Sequence, residues 1–268
     1  MTITGGSILL AAGGSVLMAI DTIEVTAELA RRHGADIHEF SPISKIDVVS
    51  DPVRIMTPTG WEMFDRVVLA CGGWSTKLIP HLRKEVVTRR LTSMWFNEFH
   101  DGGLAGLPPF LRSAPHYCYG IPSRDCRSIK LGLGFNNHYI SGDADRFPRQ
   151  LEGGELLNEL KKFEWIQQEM LPVLSRRPYR TETFVENYTR SMLEYIRTHP
   201  QNSNVLIMTG FSGHGFRVSP VMGEIGCQLV VNGKSDMDVS FLEKASPFFS
   251  ILDPEKGITT DNPVMTNS

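Results

Sequence analysis

Two continuous apolar runs limit what this chain can fold into. RVVLACGG at residues 66–73 and NVLIMTG at residues 204–210 are apolar almost throughout, and each ends in glycine. A strand with one wet face alternates in polarity, whereas a strand covered on both faces does not. Both runs therefore read as members of a parallel sheet buried between helices. Their surroundings agree. From Val16 to His33 apolar residues recur at helical spacing (Val16, Ile20, Ile23, Ala27, Ala30), and Gly34 stops the pattern as a C-terminal glycine does. ADIHEF at 35–40 reads as a short strand, and KIDVVSDPVRIMTPTGWEMF as a hairpin with Thr59-Gly60 at its tip. WSTKLIPHL is helix-like. SPVMGEIGCQLVVNGK is a helix closed by Gly233, with Pro220 near its start, where a missing N–H costs nothing.

The segment between the two runs has another character. VVTRRLTSMWFNEF (86–99), PHYCYGIPS (115–123) and SIKLGLGF (128–135) are aromatic and β-branched, with glycine and proline between them. They predict an antiparallel sheet, partly open to a ligand. Leu156, Leu160, Phe163, Met170 and Leu174 share one face of a helix that covers it, and TETFVENYT adds a strand. The expected class is α/β with mixed α+β content: part of a doubly wound domain interleaved with an antiparallel-sheet domain. The expected division is residues 1–85, 86–190, 191–242, and a loosely held tail at 243–268.

Composition excludes several functions. Apolar residues make up 41% and charged residues 21%, and the formal net charge is −3, so neither a nucleic-acid footprint nor a polybasic membrane patch is expected. Cys71, Cys118, Cys126 and Cys227 form no CxxC pair and read as buried reduced thiols. The histidines show no HExxH spacing, and no metal is expected. MTITGGSILLAAGGSVLMAI lacks a charged leader region and is broken by Gly13 and Gly14, so it reads as core. A cytoplasmic location follows as an expectation. The Asn187-Tyr188-Thr189 sequon then carries no meaning, and Thr266-Asn267-Ser268 is no peroxisomal tripeptide.

GFSGHGFRVSP, from Gly210 to Pro220, holds the chemistry. Glycines allow positive φ and close backbone approach. The helix start after them supplies unpaired N–H groups and a positive dipole end, which suits an anion or an electron-rich ring. A tight strand-to-helix turn explains the same glycines. The order G-x-x-G-x-G is not the dinucleotide fingerprint, and no Walker lysine is present.

GFSGHGFRVSPVMGE resembles the C-terminal motif of the monomeric sarcosine oxidase family, FAD-dependent amine oxidases that include N-methyltryptophan, pipecolate and fructosyl-amino-acid oxidases. RVVLACGGWSTKL, HYCYGIPSRDCRSIKLG and THPQNSNVLIMTG agree in order and spacing, and VLMAIDTIEVTAELARRHGADI resembles that family's middle helix and strand. The resemblance covers roughly residues 12 to 242. It implies a flavin-binding part for residues 1–85 and 191–242, and a substrate and oxygen part for 86–190.

The resemblance also implies roles. Gly213, His214, Gly215 and Phe216 run beside the flavin, with Gly72, Gly73, Trp74 and Gly210 at the cofactor. Backbone donors and a helix dipole there stabilise negative charge on a reduced ring. Arg217 stands where relatives carry a lysine for the substrate carboxylate. It keeps the charge but changes the geometry, and Tyr119 joins it at the substrate. Lys130 matches a lysine that activates oxygen, although an alternating strand also puts a lysine on its exposed face. Where relatives carry a histidine after that lysine, Gly134 is close by. Glu186 stands where bacterial enzymes carry the cysteine that links FAD, so FAD is expected to bind noncovalently.

The family's opening strand, G-x-G-x-x-G turn, helix and acidic residue have no counterpart here; Gly5-Gly6 and Gly13-Gly14 do not make the spacing. The expected function is thus an FAD-dependent oxidase of secondary amines or N-alkyl amino acids, using O2, in truncated form. The alternative is an inactive remnant, or a half-protein needing a partner chain or dimer to cover an exposed sheet edge.

Overall fold

The computed structural model describes residues 16–100, 102–112, 117–133, 138–139, 144–189 and 191–243. In chain order the elements are α1 (Ala19–Arg32), β1 (Lys45–Asp47), β2 (Val53–Thr57), β3 (Gly60–Phe64), β4 (Val67–Leu69), α2 (Ser75–Leu78), β5 (Val86–Asn97), β6 (Phe110–Arg112), β7 (Cys118–Pro122), β8 (Ser128–Leu133), β9 (His138–Tyr139), α3 (Gly153–Trp165), β10 (Arg180–Thr189), β11 (Tyr195–His199), β12 (Asn202–Thr209) and α4 (Gly215–Asn232). The mixed α/β class expected from the sequence is the one observed.

The largest sheet is antiparallel in the order β10-β5-β8-β7-β6, with β9 also paired to β5. Its strands alternate, and one face is the main core. Met94 and Phe96 of β5, Ile129 and Leu131 of β8 and Cys118 of β7 pack there against Phe163, Ile166 and Met170 of α3 and the turn after it. Leu156 and Leu160 pack at the margin of the same cluster, as the helical stripe predicts. Arg90, 4% exposed, ties β5 to α3 through an ion pair with Glu155 at 2.5 Å.

The second sheet has the order β11-β12-β4, with β12 and β4 parallel. β12 is covered on both faces. Val205 and Ile207 join Val53, Val67, Leu69, Ile79 and Leu82 on one side. Leu206 and Met208 join Met222 and Ile225 of α4 on the other. β1, β2 and β3 form a small separate antiparallel sheet, its hairpin turning at Pro58-Thr59 beside the expected tip.

Four expectations need correction. Residues 35–40 form no strand, and Phe40 is 98% exposed at φ +55. Backbone groups there have no neighbouring strand to bond among the described residues, and a strand exists only as part of a ladder. RVVLACGG is not covered on both faces: β4 is three residues long, and Val68 is 44% exposed. Its only strand neighbour among the described residues is β12, so it lies at an edge. Pro220 sits within α4 rather than at its start. The carbonyl its missing N–H orphans is that of Phe216, and Ser219 Oγ donates to it at 2.9 Å, so the helix continues. The cysteines are unpaired as expected, but Cys227 is exposed.

α1 has its expected place and ends in a Schellman arrangement, Ala35 N–H to Ala30 C=O and Gly34 N–H to Arg31 C=O, with Gly34 at φ +90. No residue of it is buried: Ile20 is 72% and Ile23 59% exposed. Along its apolar stripe Ala27 and Ala30 are half-buried at most. The segments around Gly5-Gly6, Gly13-Gly14 and Gly134, and the tail beyond residue 243, lie outside those residues.

Candidate functional site

The face of the large sheet turned away from α3 carries the candidate site. Residues opposite one another on neighbouring strands share a face, and the register places Lys130 opposite Trp95, Gly132 opposite Ser93 and Tyr119, Glu186 opposite Arg89, and Tyr188 opposite Val87. Lys130 Nζ lies 5.3 Å from the Trp95 ring centroid and 5.2 Å from that of Phe184. Arg180 stacks over the same Trp95 at 4.7 Å and pairs with Glu182. This is an aromatic cage around a cation, with a second cation stacked on one wall. Burial lowers the Lys130 pKa from its ordinary value; Glu182 raises it again, and Arg180 adds to the lowering.

In the middle of the face Tyr119 lies across β8. A Cβ on Gly132 would sit 2.1 Å from the Tyr119 ring, so only glycine lets the ring lie flat there. Ser93 Oγ and Tyr119 Oη are 3.3 Å apart. Burial raises the Tyr119 pKa, the Ser93 contact opposes the rise, and the Glu186 charge adds to it.

At the far end the loop before α4 crosses the sheet. Along β5 the step from Trp95 to Arg89 is six residues, which separates Lys130 from this end by ~20 Å of strand. Tyr188 bridges the two structures by pairing with Phe211. Ser212 and Gly213 have positive φ, +50 and +86, and the loop is pinned by Ser212 N–H to Asn187 C=O at 3.0 Å. Gly213 N–H donates to the Glu186 carboxylate at 2.5 Å. His214 is the N-cap residue of α4 and makes no side-chain cap bond. Burial lowers the His214 pKa, and Arg217 lowers it further. Arg217, exposed in the first turn, also bears on Tyr117, whose pKa burial raises. Arg89, 3% exposed, stacks on the Tyr188 ring at 5.6 Å, and burial pushes the Tyr188 hydroxyl well above its usual range.

The residues expected from the sequence thus divide. Gly213, His214 and Arg217 gather at one end of the face, with Gly215 and Phe216 opening the helix beside them; Tyr119 lies in the middle, and Lys130 stands at the other end. Gly210, at φ +65, packs against Thr189 and Val86. Gly72, Gly73 and Trp74 are not on this face. Gly73 is buried behind β10, where a Cβ would meet Val185 at 2.2 Å. Asn187, which alternates with Glu186, donates to the Gly72 carbonyl at 2.6 Å and to Thr209 Oγ1 at 3.1 Å, and Thr88 Oγ1 donates to Asn187 Oδ1 at 2.7 Å. Trp74 instead donates to Asp145 at 2.5 Å, with Lys77 paired to the same carboxylate. Trp95, Phe184, Arg180, Arg89, Tyr117 and Tyr188 escaped the sequence reading. The strict alternation Phe184, Glu186, Tyr188 was the signal available for the last strand.

Among the described residues no group of three or more His, Cys, Asp or Glu could hold a metal, and no helix is long and apolar enough to cross a membrane. Aromatic faces, a caged cation, an arginine and an uncapped helix start suit a flat, electron-rich ring with an acceptor edge. Glu186 is the acidic group that meets this loop. Residues of this set fit the ring end of a flavin. Gly73 has a packing reason of its own, against Val185, whereas Gly72 is held at φ +50 with open space where a Cβ would lie.

Such a face, between an antiparallel sheet and a helix start in a mixed α/β frame, suits the ring of a flavin-dependent oxidoreductase, and the family comparison agrees with that class. The chain belongs to the FAD dependent oxidoreductase family, which it matches over residues 3–229. Monomeric sarcosine oxidase from Bacillus sp. (strain NS-129) is 31% identical over 232 residues, covering 84% of this chain and 58% of that protein. N-methyl-L-tryptophan oxidase from Escherichia coli is 26% identical over 223 residues, covering 81% of this chain and 57% of that protein. Among solved structures, glycine oxidase from Geobacillus kaustophilus superposes with a TM-score of 0.64 at 18% identity, covering 85% of this chain and 57% of that one. The chain therefore spans less than three fifths of the length of these relatives.

Proposed function

We propose that the chain is the ring-facing and substrate-facing part of an oxidase acting on secondary amines or N-alkyl amino acids. The observation that carries this reading is the pairing, on one sheet face, of a caged lysine with the glycine loop and arginine at the start of α4. A flavin, when bound, supplies a two-electron acceptor for hydride from the carbon next to the amine nitrogen, and O2 takes the electrons onward to H2O2. The remaining tasks belong to the chain. Arg217 holds a substrate carboxylate by its planar fork, with Tyr119 lining the middle of the face beside it. Lys130 places a cationic side chain where oxygen becomes an anion; burial lowers its pKa from the ordinary lysine value, and the Glu182 charge opposes that. Trp95, Phe184 and Tyr188 present ring faces that exclude water. FAD is held noncovalently, because Glu186 cannot form the thioether a cysteine forms. Residues 1–85 and 191–242 form the cofactor part, with the substrate part at 86–190.

The test is reconstitution with FAD. A yellow protein with an oxidised-flavin band, releasing peroxide with N-methyl or cyclic amino acids, is expected. A protein left colourless after FAD is added overturns the reading. The apolar stripe of α1, none of it buried among the described residues, favours one second reading: activity needs a separate dinucleotide-binding chain seated on α1 and on β4. Activity that appears only after such a chain is added identifies it.

A further inference from the structure

The cage around Lys130 has an outer layer. Arg180, Trp95 and Lys130 stand in one register row across β10, β5 and β8. Trp95 thus meets a cation from each neighbouring strand, Arg180 Cζ at 4.7 Å from its ring centroid and Lys130 Nζ at 5.3 Å. The chain leading into β10 is fixed at this row. Tyr179 N–H donates to the Trp95 C=O at 2.9 Å, and Tyr179 Oη donates to Ser128 Oγ of β8 at 3.3 Å. Glu182, two residues along the same face of β10, accepts from Arg180 Nε at 2.8 Å. Its charge also reaches Lys130, where it opposes the repulsion from Arg180. Those two are the charged groups that bear on Lys130 among the described residues, and β7 sets Ile121 opposite it. An exposed arginine–glutamate pair alone contributes little. This one differs because its arginine shares an aromatic wall with a half-buried lysine. Two cations drawn to one ring repel each other, and a carboxylate beside them offsets that cost.

We propose that Arg180 and Glu182 are positioning residues for Lys130: Arg180 braces the Trp95 wall of the cage, and Glu182 supplies the countercharge that two cations on one ring need. Both act through Lys130. Under the proposed function Lys130 meets oxygen, and the inference rests on that reading for its effect on turnover. Phe184 forms the second wall, 5.2 Å from the Lys130 nitrogen, so a Trp95 ring that loses its brace loosens one of two sides. The two residues act on the ammonium with opposite sign. Removing the charge of Glu182 favours the neutral amine, whereas removing that of Arg180 favours the ammonium.

The test uses the full chain without cofactor, its lysines carrying carbon-13 at the ε position, followed by NMR as pH rises. The Lys130 signal is the one lost in Lys130→Met. Its titration midpoint is expected at lower pH in Glu182→Gln and at higher pH in Arg180→Gln. Arg180→Lys keeps the charge and loses the planar stack, so it should hold the midpoint but reduce the ring-current displacement of the Lys130 ε protons. Midpoints that stay in place, or move the same way in both variants, overturn the inference. So does a ring-current displacement unchanged in Arg180→Lys. Should a variant unfold at alkaline pH, acetylation of Lys130 at about pH 8 decides, read by mass spectrometry against the exposed Lys234. The neutral-amine fraction, and with it the acetylation rate, changes about tenfold per pH unit of midpoint. The rate is expected to rise in Glu182→Gln and fall in Arg180→Gln, and any other order overturns the inference. In the FAD-reconstituted protein, reoxidation by O2 should follow the same midpoints. Opposite midpoint shifts with unchanged reoxidation leave the cage assignment standing and overturn the oxygen role of Lys130 in the proposed function. Flat midpoints with normal peroxide release overturn the inference alone.

Discussion

β12 and β4 lie side by side in one parallel pair, end in glycine alike, and read alike as sequence, yet they live in different environments. β12 buries Val205, Leu206, Ile207, Met208 and Thr209, each at 8% exposure or less. β4 alternates, with Val68 at 44%. The difference is cover. α4 lies over one face of β12 and the β1–β3 sheet with Leu82 under the other, while among the described residues β4 is at an edge and α1 has no buried residue. An apolar run therefore reports the capacity to be buried on two faces. Whether it is buried depends on what else is present.

The comparison can be broken most sharply at Ile207. Ile207→Ala removes a fully buried side chain and is expected to cost about 2–5 kcal/mol by urea denaturation, whereas Val68→Ala costs under ~1 kcal/mol. Equal losses would show β4 to be as covered as β12. Next comes Asn187→Ala. Asn187 ties the Gly72 carbonyl, Thr88 and Thr209 together at 2% exposure, and its loss is expected to cost about 1–3 kcal/mol in the same assay, with the loop at 72–74 exchanging its amides faster.

A third prediction concerns pH. Burial raises the folded-state pKa of Glu186 above its unfolded value, so the fold binds that proton more tightly than the unfolded chain does. Its contribution to stability is fully present below the unfolded pKa, near 4.5, and is lost as pH rises through the folded value. Glu186→Gln should therefore unfold at higher temperature than the unaltered chain at pH 8 and at the same temperature at pH 4. A difference that is the same at both pH values would refute the assignment. The smallest effect is expected on α1, where Ile20→Ser with Ile23→Ser should change stability by within ~0.5 kcal/mol, because neither side chain is buried. A loss comparable to that at Ile207 would reveal a cover on that helix.

Alternation made the large sheet readable. β5, β7, β8 and β10 fall where aromatic and β-branched runs predict them, and the period of two already puts Lys130 and Gly132 on one face. The start of α4 was readable for the same kind of reason: Gly213 and Gly215 mark a turn before an apolar helix. The cage of Trp95 and Phe184 around Lys130 was not readable, since it depends on which residues of three strands stand opposite one another. The loop at Gly72 and Gly73 looked in sequence like the α4 loop; in the structure Gly73 packs against Val185, and the Gly72 carbonyl accepts from Asn187 on the core side.

The sequence by itself determined the family, most of the order of the elements, the two apolar runs and the location of the glycine loop. These follow from local spacing and chain order, which any strand or helix carries with it. Only the tertiary structure decided that Glu186 meets Gly213, that Tyr119 lies flat over Gly132, and that Gly72 and Gly73 face away from the site. Those facts depend on strand register and on which face a neighbour covers. A one-residue slip would reverse them without changing a letter of the sequence.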